Sequence, residues 1–143
     1  MTAKEFYKRP FDLNKKVVTK AERVAALRAT TQRITASMDG EPVSHTRNMT
    51  AMQDAVIRLM EVEDELNQLT NEYLAAISEV SAEIQNLPGE RDKLIMEMRY
   101  LAFTGWDEIA ESMGLSRRYV LKIHGFALSE TEKRLKRCSK VSE

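Results

Sequence analysis

The sequence predicts an all-α protein: a long antiparallel helical hairpin of coiled-coil type, followed by a smaller helical domain at the C-terminus. Three observations predict it. Apolar residues recur at spacings of three and four over most of the 143 residues. Glycine and proline are scarce, at five and three, and the clearest of them separate periodic runs. No segment shows the sustained apolar–polar alternation of a half-buried strand.

The first helix is expected from about Phe11 to Met38. Leu13, Val17, Ala21, Val24, Leu27, Ile34 and Met38 fall on one face. Pro10 suits the first helical position, where a missing N–H costs nothing. Asp39-Gly40-Glu41-Pro42 reads as a stop, and Val43 to Arg47 as a linker containing His45. The second helix is expected from about Asn48 to Leu87. Its stripe is Met52, Val56, Leu59, Leu66, Tyr73, Ile77, Val80, Ile84 and Leu87, widened by Val62 and Leu69. A stripe that long cannot be buried by its own helix, so it needs the first helix, a second copy of the chain, or both.

Pro88-Gly89 ends the rod and sets the expected border between a hairpin over 1–87 and a domain over 88–143. The hairpin is expected to serve assembly or partner binding. The longer second helix outreaches the first, leaving Tyr73, Ile77, Val80 and Ile84 to pack on the C-terminal domain or on another subunit. Within that domain a helix is expected over 90–103, with Leu94, Ile95, Met98, Leu101 and Ala102 inward. A short helix follows over 106–113, and a last one runs from Arg117 towards Leu135. Ile123, Ala127, Leu128 and Leu135 are its expected inward residues.

The formal net charge is zero, yet the charges are segregated. Residues 1–47 carry ten Lys/Arg against five Asp/Glu, residues 48–90 one against nine, and residues 115–140 eight against two. The acidic middle can neutralise the basic first segment, which favours pairing of the two long helices and leaves the last segment free for phosphates. No run approaches the ~20 apolar residues of a bilayer span. The opening residues "MTAKEFYKRPF" lack the apolar core of a secretory signal. Cys138 is the single cysteine, so it forms neither an internal disulfide nor a thiolate cage and reads as a plain thiol among Lys136, Arg137 and Lys140. The two histidines stand apart from other ligand types, and Glu61, Glu63, Asp64 and Glu65 point around a helix in different directions, so no metal or cofactor is expected. The methionines read as flexible packing. No phosphate loop or nucleophile arrangement is present, and an enzyme is not expected.

The informative string is Thr104 to Leu128, "TGWDEIAESMGLSRRYVLKIHGFAL". Ile109, Ala110 and Met113 form the inner face of its first helix, and the small Ala110 allows a close crossing. Gly114 supplies positive φ at a sharp turn. Leu115 plugs the corner, and Ser116 caps the next helix. Val120 and Ile123 lock that helix down. This is a helix-turn-helix pattern. Its outward face is then Arg117, Arg118, Tyr119, Leu121 and Lys122, a basic helix start suited to the major groove, where Arg reads guanine with two hydrogen bonds. Trp106 reads as a core anchor and His124 as a surface or phosphate-facing residue. Lys133, Arg134, Lys136 and Arg137 are expected to add sequence-independent phosphate attraction.

The string resembles the helix-turn-helix of region 4 of sigma-70-type factors, through Trp106, Glu108, Ile109, Ala110, Met113, Gly114, Leu115, Ser116, Ala127 and Leu128. Together with Arg47-Asn48-Met49, Met52, Asp54 and Ile57, and with "LIMEMRYLAFTGWDEIAESMG", it is similar to a family of small phage and prophage regulators from Gram-positive hosts. The resemblance implies that Arg117, Arg118 and Lys122 contact promoter bases, that the partners are double-stranded DNA and host RNA polymerase, and that the protein works in the bacterial cytoplasm at the nucleoid. Arg118 departs from the acidic residue common in sigma factors, which implies a preferred DNA element different from an ordinary minus-35 element. Gly125 is unusual inside a recognition helix. Nothing resembles the promoter-melting region, so the chain does not replace a complete sigma factor. The expected function is transcription regulation by a homodimer. The rival readings are a small terminase subunit on a packaging site and a coiled-coil protein adaptor.

Overall fold

The structure, a computed structural model, describes residues 1–38 and 45–141. They form five helices: α1 (Ala3–Met38), α2 (His45–Gln85), α3 (Glu90–Tyr100), α4 (Trp106–Met113) and α5 (Arg117–Val141). No strand occurs among the described residues, so the fold is all-α as the periodicity predicts. The stop at 39–42 and the following Val43-Ser44 lie outside the described residues. His45 to Arg47, read as linker, are instead the first turn of α2.

The chain divides into two compact units. One unit is Leu13–Glu72. The other joins Met1–Asp12 to the chain from Tyr73 onward. Each long helix therefore contributes to both.

In the Leu13–Glu72 unit, α1 and α2 bring apolar stripes inward, with Val24 and Val62 buried. Opposite charges cross between the helices as expected: Lys20 pairs with Glu65 at 2.8 Å and Arg28 with Glu63 at 2.9 Å. In both pairs the α1 residue that comes later meets the α2 residue that comes earlier, as antiparallel helices require. Both pairs are partly solvated and contribute little individually.

The other unit holds the main core. Phe6 and Tyr7 of α1 meet Val80 and Ile84 of α2, Leu87, Met96 and Tyr100 of α3, and Ala127 of α5. Leu101, Leu128 and Leu135 pack around them. The stretch left over by the long helix is thus covered from within the same chain at Val80 and Ile84, and Ile77 is half-buried. Burial of each large side chain contributes about 1.5–3 kcal/mol.

The start of α1 departs from expectation for a definite reason. Pro10 lies inside the helix and is buried, with a full turn ahead of it. That turn begins in a capping box: Glu5 N–H donates to Thr2 Oγ1 at 3.2 Å, and Thr2 N–H to the Glu5 carboxylate at 2.9 Å. The same exchange holds the Glu5 carboxyl below its ordinary pKa, led by the backbone hydrogen bond at Thr2. Burial of Ala3, Phe6 and Tyr7 outweighs the backbone bond that Pro10 removes. The Ala3 N–H also donates to the Glu132 carboxylate at 2.8 Å, fastening α1 to α5.

α3 ends at Tyr100, short of Phe103, because Phe103 takes φ 55° in the left-handed region. Its buried side is Ile95, Met96 and Tyr100. Leu94 and Ala102, expected inward, face solvent.

Candidate nucleic-acid interface

A second core, formed by α3, α4 and α5, seats the helix-turn-helix. Ile95, Ile109, Ala110, Val120 and Ile123 are buried, with Met98, Trp106, Met113 and Leu115 packed on them. The turn follows the chemistry of its residues. Gly114 adopts φ 67°, ψ 31° and caps α4. Its N–H donates to the Glu111 carbonyl at 3.2 Å, and the Leu115 N–H to the Ala110 carbonyl at 3.0 Å, the paired bonds of a Schellman ending. Ser116 Oγ then accepts from the Tyr119 N–H at 3.2 Å and starts α5.

With Val120 and Ile123 turned inward, Ser116, Arg117, Arg118, Tyr119, Leu121 and Lys122 are all exposed. Arg117 reaches back to Asp107 of α4 at 3.3 Å, a surface pair open to exchange for a phosphate or a base. Tyr119 is engaged from α3: the Arg91 guanidinium donates to its hydroxyl at 3.4 Å and lies 5.9 Å from the ring centre. Sequence reasoning does not find Asp107 and Arg91 as parts of this surface. Both meet it through tertiary packing, and no local pattern marks them.

His124 is half-buried and not a surface group. Its Nε2 shares a 2.5 Å hydrogen bond with the Tyr100 hydroxyl, its ring stacks on Tyr100, and it meets the edge of Trp106. Burial first, then Arg99 and Lys4, depress its pKa from 6.5 to about 4. Trp106 packs on the core as expected, with the Arg99 guanidinium 4.4 Å above its ring.

The basic C-terminal group divides in two. Lys136 and Arg137 are exposed, and Lys133 is exposed beside Glu130 at 3.2 Å. Arg134 is not a free cation: its Nε donates to the Glu83 carboxylate at 3.0 Å, and a terminal nitrogen donates to the Asn86 carbonyl at 2.8 Å. It latches α5 onto the end of α2. No group of His, Cys, Asp and Glu among the described residues is arranged to hold a metal. None of the described helices is long and apolar enough to cross a membrane.

Residues 37–132 match the family described as "Protein of unknown function (DUF1492)". The chain belongs to that family. The DUF1492 match takes in more than half of the chain and includes α4, the turn and the exposed start of α5. Tyr7 and the capping box lie ahead of it, and the cluster from Lys133 onward lies beyond it. No curated protein and no solved structure matches the chain.

Proposed function

We propose that the protein is a sequence-specific regulator of transcription that binds double-stranded DNA through the start of α5. One observation carries this reading: Arg117, Arg118 and Lys122 stand exposed together on a helix start that a Gly114 turn, a Ser116 cap and two buried anchors hold in place. Rigid presentation of guanidinium groups is what bidentate reading of guanine requires. The exposed Lys133, Lys136 and Arg137 supply phosphate attraction along the same helix. The likeness of Trp106 to Leu128 to sigma region 4 supports a promoter as the target, phage or prophage genes as the setting, and host RNA polymerase as a partner. The reading is of a binding protein, not an enzyme. A homodimer bearing two recognition helices fits two half-sites. Since Val80 and Ile84 are covered within the chain, its dimer interface belongs on exposed apolar residues such as Ile57 and Met60 of α2.

The test is selection of bound fragments from the source genome, followed by titration of the recovered duplex in defined salt. Retention of one sequence over random DNA, lost in the Arg117→Ala/Arg118→Ala variant with its helicity intact, is the expected result. Equal binding of every sequence by both proteins would overturn it.

A further inference from the structure

We infer that a small cavity beside the helix-turn-helix is a binding site for a planar anion, an aromatic carboxylate or aryl phosphate. The cavity holds about 250 Å³ and is lined by Lys4, Lys8, Phe11, Arg99, Tyr100 and Phe103. All six belong to one compact unit. Three are cationic, three are aromatic and none is acidic. Among the described residues neither Lys4 nor Lys8 is paired with a carboxylate, so their charges are available to a ligand.

The walls select a ring as well as a charge. Phe11 and Phe103 meet edge to face, with centroids 5.6 Å apart, and Tyr100, which also lines the cavity, stacks on Tyr7 at 5.2 Å. A bare phosphate gains nothing from such walls. The volume lies just below the range of about 300–1,000 Å³ common for drug-sized ligands, which suits one ring or a fused pair. Phe103 reaches its place only through a left-handed backbone that bulky residues avoid, and outliers of this kind cluster at ligand sites. The local field is positive: Arg99 and Lys4 both oppose protonation of the neighbouring His124.

The site is connected to α4 and to α5, the helix that carries Arg117 and Arg118. Arg99 lines the cavity, stacks over Trp106 at the start of α4, and donates to the Thr104 carbonyl at 3.1 Å. Tyr100 lines it and bonds His124 of α5. An occupant therefore touches the residues that seat both helices. The binding itself does not depend on the DNA reading.

Calorimetry on the full chain tests the site with phenyl phosphate, benzoate and 2-naphthoate as probes. Phenol and inorganic phosphate serve as controls lacking the charge or the ring. Quenching of Trp106, the single tryptophan, by phenyl phosphate gives a second readout. One-to-one binding of at least one probe, tenfold or more tighter than both controls, is expected. The Lys4→Gln/Lys8→Gln variant, altered at two exposed positions, should bind that probe at least tenfold more weakly with unchanged helicity. No saturable heat from any probe at millimolar concentration would overturn the site. Inorganic phosphate binding as tightly as phenyl phosphate would overturn it too, as would unaltered binding by the variant.

Discussion

The hydroxyl of Tyr7 donates to Thr131 Oγ1 across 2.7 Å, joining residues 124 positions apart. The direction follows from proton count. Thr131 gives its only hydroxyl proton to the Ala127 carbonyl at 3.0 Å, so its oxygen accepts from Tyr7. Both residues are wholly buried, and the Tyr7 pKa is raised, chiefly by that burial. The bond ties the turn ahead of Pro10 to α5.

Tyr7→Phe should therefore cost about 1 kcal/mol of folding free energy, the net worth of one hydrogen bond. Tyr7→Ala also removes the ring that stacks on Tyr100 and meets Phe6 edge to face, and should cost about 3–5 kcal/mol. Urea denaturation of the two variants beside the wild type checks both values. Equal losses would show that the hydroxyl, not the ring, does the fastening.

Gly114 offers a conformational test free of steric confusion. Its φ is left-handed, yet nothing lies within 4 Å of where a Cβ would stand. The whole cost of Gly114→Ala is then backbone strain, about 1–2 kcal/mol. Gly114→Asn should lose less, since asparagine tolerates this region. The two denaturation midpoints decide it, and a loss well above about 2 kcal/mol for alanine would point to a clash instead.

These two sites show which parts of the molecule are local enough to be read from sequence. The limits of α4 and the start of α5 follow from Gly114 and Ser116, whose effects reach only their nearest neighbours. Val120 and Ile123 are inward because the helical period places them opposite the arginines. The beginning of α1 is also written locally, in the capping pair Thr2 and Glu5, but Pro10 offers a competing start, and only the burial of Phe6 and Tyr7 decides between them. Arg134 is not legible as a latch, since Glu83 lies 51 residues away and a cation in a basic run has no local mark of its partner. The same holds for His124, whose pKa is lowered first by burial and then by Arg99 and Lys4 from two other helices.

His124 predicts a pH dependence with a definite sign. Its folded pKa is depressed from 6.5 to about 4, so the unfolded chain takes up the proton first as pH falls. The stability conferred by the neutral ring is complete above pH 6.5 and is lost progressively towards pH 4. His124→Gln keeps a polar partner for Tyr100 and does not titrate. The difference in melting temperature between wild type and variant should therefore move against the wild type as the pH drops from neutral towards the folded pKa. Taking the difference cancels the titration of carboxylates shared by both proteins. A constant difference across this range would contradict the assignment.

The last prediction separates two kinds of arginine on one helix. Arg134 bonds the Glu83 carboxylate and the Asn86 carbonyl, and both charged side chains are largely shielded, at 25% and 19% exposure. Arg134→Ala should cost about 1.5–3 kcal/mol of stability, the range for hydrogen bonds to charged groups. Where the variant remains folded, it should leave DNA affinity almost unchanged. Arg117 and Arg118 should behave in the opposite way. Both are exposed, and the Arg117–Asp107 pair is a solvated one, so either alanine variant should keep stability within about 1 kcal/mol. Each should weaken binding to the selected duplex by about 1–3 kcal/mol if it reads a base. Lys136→Ala/Arg137→Ala forms a third class, lowering affinity for all sequences and flattening the salt dependence by about 0.9 in log–log slope for each phosphate left unneutralised. Denaturation and salt-titrated binding on the same preparations distinguish the three. Loss of affinity without loss of stability in Arg134→Ala would move that residue into the interface and remove the latch.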